Sequence, residues 1–194
     1  MINFRKILGF KTFEPHKQPE LASSTSPKIL LSERALAQMM FYLSAIKSEF
    51  GFAMEGRRAG LAVYVDNIFV PSQSATDVYW EQAYPDGIDE VYLHFKDTPG
   101  VTQVGWGHSH CAFGAFHSDV DINTTKTNGQ MLKIPSASLT ISRLNKDMFD
   151  GRVCVEDGDG VRVVEAEVVL PFKSETHKIS SMANHGYSAG EFQQ

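Results

Sequence analysis

The chain has 194 residues, 42% hydrophobic and 21% charged, the composition of one folded domain with tails. Eighteen basic and 23 acidic residues leave a formal charge of −5, which argues against a surface built around nucleic-acid phosphates. Two cysteines, Cys111 and Cys154, exclude a disulfide framework and a four-cysteine zinc site. No run approaches about 18 consecutive apolar residues, so no membrane span and a cytoplasmic location are expected.

Residues 1–13 are cationic with a broken apolar run, and no small-residue cleavage site follows. Residues 14–27 carry three prolines and a serine cluster. Together, 1–27 read as a flexible leader and linker, 28–173 as the folded body, and 174–194 as a mobile, polar, glycine-containing tail. Within the body, Ile29, Leu30 and Leu31 suit a short buried strand, and Ser32 is the N-cap residue for a helix. Leu36, Met39, Met40, Leu43 and Ile46 give that helix one apolar face. A strand from Phe50 to Met54, a turn from Gly56 to Gly60 and a β-branched strand from Leu61 to Val70 follow. After a polar, aromatic-bearing loop over 72–89, the spacing predicts a helix from Glu90 to Lys96 and a buried strand from Val101 to Trp106. A short helix starts near Ser118. Three strands close the body: Ser138–Arg143, Gly151–Glu156 and Val161–Leu170. Strands interleaved with helices predict an α/β protein with a mixed sheet.

The chemistry lies in Gly105–Thr124, GWGHSHCAFGAFHSDVDINT. His108 and His110 are two apart at a strand end, and alternate strand residues point to one side, so two imidazoles can converge on one cation. Ser118 and Asp121 are three apart at a helix start and can face one point. Two neutral histidines and one carboxylate leave an open position on zinc, as catalytic sites do. Taken singly, His-x-His is commonly an ordinary strand pair and Ser-x-x-Asp a helix cap. Together they spell His-Ser-His, seven residues, Ser, two residues, Asp.

That spacing resembles the motif of the JAMM metalloproteases, also called MPN+ domains, with His108, Ser109, His110, Ser118 and Asp121 filling every position. The flanks Val104-Gly105-Trp106 and Val120-Asp121-Ile122-Asn123 are similar to the proteasome-lid and AMSH-type deubiquitinases, and Phe69–Ala75 is similar to the AMSH type. Cys111 stands where the family commonly has proline. The resemblance implies an α/β fold, a mixed, curved sheet flanked by helices with cytidine-deaminase-like architecture. It also implies one zinc ion held by His108, His110 and Asp121.

The family's upstream glutamate follows the first long helix, with a glycine seven residues on. Glu49 meets both conditions through Gly56, and Glu55, beside the turn, is the alternative. By this resemblance Glu49 is the general base for metal-activated water and Ser118 the donor to the tetrahedral oxyanion. Ser109 supports the metal loop through hydrogen bonds. The implied activity is zinc-dependent hydrolysis of a peptide or isopeptide bond in a protein or peptide substrate, such as a ubiquitin-like modifier or its conjugate. Residues 72–98 and 124–137 flank the expected groove, with Val78, Tyr79, Trp80 and Tyr84 as substrate contacts or a hydrophobic clasp. The alternative is a non-catalytic MPN scaffold or protein-binding module. A zinc deaminase is excluded by the absence of His-x-Glu and Pro-Cys-x-x-Cys.

Overall fold

In the computed structural model, which describes residues 23–76, 80–82, 86–144 and 148–171, the elements run β1 (Ser24–Leu31), α1 (Glu33–Ala45), β2 (Gly51–Phe69), β3 (Gln73–Ala75), β4 (Trp80–Gln82), α2 (Asp86–Asp97), β5 (Gln103–His110), α3 (Asp119–Met131), β6 (Ser136–Ser142), β7 (Phe149–Asp157) and β8 (Gly160–Val169). Strand β1 is bonded along both edges, parallel to β2 and parallel to β8. That double pairing closes the sheet into a barrel of order β1-β2-β5-β6-β7-β8. The open, mixed α/β sheet flanked by helices, with its cytidine-deaminase-like architecture, is therefore corrected: strand dominates, and the main sheet closes on itself. A closed sheet removes the unpaired edge strands that an open one must protect.

Strand β2 replaces two predicted strands and their turn. Eight residues of straight strand span about 26 Å, yet a Cβ on Gly56 would run into the carbonyl of Tyr64. Arg57 pairs with Asp66 at 3.0 Å, and Asn67 Nδ2 donates to Glu55 at 2.8 Å. The strand thus doubles back, with a bend near Gly60, whose φ of 57° glycine adopts without penalty. Its first limb pairs with β5 and its second with β1.

Inward residues from the barrel strands and α1 form one core, including Ile29, Met39, Phe50, Phe52, Val63, Leu139 and Val153. Each large apolar side chain fully buried there contributes about 1.5–3 kcal/mol. Helix α1 begins as expected: Ser32 Oγ accepts from Ala35 N–H at 3.0 Å. It buries Ala35, Met39 and Leu43, whereas Met40, expected on that face, is exposed. Strand β1 begins at Ser24, within the stretch read as linker, and α2 begins at Asp86, four residues before the predicted Glu90.

Candidate metal centre

Strand β5 separates its two faces by residue size. Gly105, Gly107 and Ser109 lie opposite Met54, Phe52 and Phe50, the last through Ser109 N–H to Phe50 O, and take the inner face. A Cβ on Gly107 would collide with the Phe52 ring, so glycine there makes room for the core. Trp106, His108 and His110 take the other face, beside Ser138, Thr140 and Ser142 of β6. The strand runs through His110, four residues beyond its predicted end, and this fixes both histidines on one side.

The ligand atoms of His108, His110 and Asp121 lie within 4.8 Å of one another. His108 Nε2 is 3.2 Å from His110 Nε2 and 3.7 Å from Asp121 Oδ1. Tetrahedral ligands on zinc at about 2.0–2.1 Å stand about 3.3 Å apart, so this spacing fits the ion. The supporting bonds fit as well. His110 Nδ1 donates to Gly114 O at 2.9 Å, which leaves Nε2 as a lone pair toward the cluster. Asp121 Oδ2 accepts from Ser118 N–H at 2.8 Å and Ser118 Oγ–H at 2.7 Å, while Oδ1 faces His108. Ser118 and Asp121 form a capping box at the start of α3, so one motif both begins the helix and aims a ligand.

The segment between His110 and α3 is pinned by side chains outside the motif. Ser142 Oγ donates to Phe113 O at 2.5 Å. His117, whose side chain is fully buried, places Nδ1 2.8 Å from Asp150 Oδ2 and Nε2 2.8 Å from Ser138 Oγ. Its backbone N–H also donates to Asp150 Oδ2, at 2.9 Å, and Arg152 lies 3.3 Å from the same oxygen. Asp150, Ser138 and Ser142 were not singled out from the sequence. The alternation in Ser136-Ala137-Ser138-Leu139-Thr140-Ile141-Ser142 marks one polar face of β6, but nothing local tells which loop those hydroxyls hold.

Electrostatics favour neutral imidazole. Burial pushes His108 down to about 4, with the attraction of Asp121 opposing and the neighbouring histidines adding to the fall. Burial also lowers His117 despite its bond to Asp150. Burial alone would raise Asp121, but His108 and the two Ser118 donors outweigh it and hold the carboxyl below its usual range.

Glu49 is buried, 5% exposed, and lies just before β2. Phe50 is level with Ser109 and Gly51 with His108, which brings Glu49 level with His110 on the adjacent chain. Glu55 is elsewhere: it bonds His94 at 2.6 Å and Asn67 at 2.8 Å, with His94 stacked on Phe69. That pairing engages Glu55 with His94 and Asn67, and gives His94 a structural task. Cys111 Sγ donates to Lys47 O at 3.1 Å. Asp119, outside the motif, is exposed. Tyr79, with Val78 and Tyr84, lies outside the described residues. Trp80 opens β4 by its backbone.

No protein-family model matches the chain, and no curated protein matches it. Among solved structures it is similar to the solution structure of protein DSY2949 from Desulfitobacterium hafniense. The identity is 22%, the match covers 77% of this chain and 97% of that one, and the TM-score is 0.49.

Proposed function

We propose that the chain is a JAMM-type zinc-dependent metallo(iso)peptidase that hydrolyses a peptide or isopeptide bond, with ubiquitin-like modifiers or their conjugates as the substrate class. The observation that carries this reading is the convergence of His108, His110 and Asp121, with the buried Glu49 level with His110 on the neighbouring segment. The substrate class rests on the resemblance of the motif and its flanks. The proposed location is cytoplasmic; among the described residues no helix is long and apolar enough to cross a membrane.

His108, His110 and Asp121 would hold the zinc, which when bound would supply a Lewis acid that lowers the pKa of water toward about 7. Glu49 takes the proton of the attacking water and returns it to the leaving amine. Ser118 donates its O–H to the developing oxyanion. That O–H is given to Asp121 Oδ2 in the structure, so it turns to substrate while Ser118 N–H keeps its bond to the carboxylate.

The test is a screen of ubiquitin-like fusions and isopeptide conjugates with the zinc-loaded chain. Cleavage that stops with a chelator and in Glu49→Gln supports the proposal. A folded protein that takes up no stoichiometric zinc refutes it.

A further inference from the structure

The backbone around Glu49 is gripped from two sides. On one, Ser109 bonds Phe50 through its own N–H and its Oγ. On the other runs the segment 71–76. Gln73 Oε1 accepts from Gly51 N–H at 2.6 Å, and Gln73 Nε2 donates to Gly51 O at 3.1 Å. One carboxamide therefore copies both bonds of a strand partner on Gly51, the residue level with His108 of β5. Gln73 Nε2 also donates to Pro71 O at 3.1 Å, which holds the side chain's direction. Three residues on, Thr76 O accepts from Glu49 N–H at 2.8 Å. The segment is itself moored to α2, where Glu90 accepts from Ser72 N–H and Ser72 Oγ–H at 2.7 Å each.

We infer that Gln73 is a positioning residue for Glu49: its carboxamide lays segment 71–76 along residues 49–51 and thereby fixes where the buried carboxylate stands relative to the metal cluster. The inference rests on the role proposed for Glu49. Gln73 itself bonds Gly51 and Pro71, and it acts on Glu49 only through the backbone. Such placement matters because a misplacement of about 1 Å can cost about a hundredfold in rate.

The experiment compares amide hydrogen exchange in the full-length, zinc-loaded chain with that of Gln73→Ala and Gln73→Glu. The Glu49 amide is the decisive probe, because its acceptor is Thr76 and not Gln73. Gln73→Ala is expected to cut protection at Glu49 about tenfold, with zinc stoichiometry unchanged. Gln73→Glu keeps the acceptor and the length, so its loss is smaller, about threefold. If Gln73→Ala does not fold, Gln73→Glu decides alone. Wild-type protection at Glu49 in the variant that folds overturns the inference. On a ubiquitin-like fusion that the wild type cleaves, kcat falls while KM holds; a rise in KM alone also overturns it. A wild type that cleaves none of the fusions counts against the proposed peptidase, whereas the exchange result still judges the placement of Glu49.

Discussion

Ser109 and Phe50 are bonded in both directions: Phe50 N–H donates to Ser109 Oγ at 2.9 Å, and Ser109 N–H donates to Phe50 O at 2.8 Å. Both residues are buried, Ser109 at 0% and Phe50 at 1% exposure. The serine between the two histidines therefore joins the histidine-bearing strand to the segment carrying Glu49. Ser109→Ala leaves the Phe50 N–H buried without its side-chain acceptor, which costs about 1–3 kcal/mol. Denaturant unfolding of the variant against wild type measures it, and an unchanged midpoint would contradict the structural role.

The three-ligand cluster is expected to take one equivalent of zinc. At a free concentration 100 times the dissociation constant, binding adds about 2.7 kcal/mol to stability. His110→Ala and Asp121→Ala are expected to remove both the bound metal and the thermal shift. Elemental analysis of the purified variants, together with melting curves at several zinc concentrations, checks this.

The metal-free protein is expected to lose stability as the pH falls. His108 has an ordinary value of 6.5 and is lowered to about 4 in the fold, so below 6.5 the unfolded chain binds a proton that the folded one refuses. The contribution of His108 is complete above 6.5, declines between about 6.5 and 4, and levels off below. A shift of this size corresponds to about 3 kcal/mol. Melting in chelator across that range shows the decline, and His108→Gln makes it shallower, leaving the part that comes from the buried His117. A pH-independent melting point for the wild type would refute the burial argument.

Glu49→Gln is expected to reduce hydrolysis about 10²–10⁴-fold, the contribution of a positioned acid–base group. Metal content stays at the wild-type level, because Glu49 is not one of the three clustered ligands. Retained turnover in this variant would assign the base elsewhere.

Asp150 accepts from His117 twice and from Arg152. Asp150→Ala leaves the fully buried His117 side chain without one partner and is expected to cost about 1–3 kcal/mol. Removing an exposed carboxylate such as Glu156 is the control, expected to change stability by less than about 0.5 kcal/mol. Equal melting points for the two variants would dismiss the His117–Asp150 pair as a structural tie.

The residues of the site were legible because each signal is local. His108 and His110 share a face by the two-residue period of a strand, and Ser118 meets Asp121 by the three-residue reach of a helix start. Ser32 likewise announced α1. Spacing favoured Glu49 over Glu55 but could not show that His94, on a distant helix, bonds Glu55. Segment 72–76 read as a polar loop, since nothing in its composition shows that Gln73 and Thr76 bond the chain around Glu49.

Composition, the metal-ligand pattern, the helix caps and the alternation of the core strands follow from neighbours a few residues apart, and the sequence by itself determined them. Closure of the barrel did not follow. It depends on β1 lying parallel to β8, with Lys28 level with Glu167 and their side chains paired at 3.0 Å across almost the whole described chain. Such pairing leaves no periodic trace in either strand, because the same pattern of apolar residues serves an open sheet and a closed one. Only tertiary structure sets the curvature and the partner of each edge, and these decided the barrel.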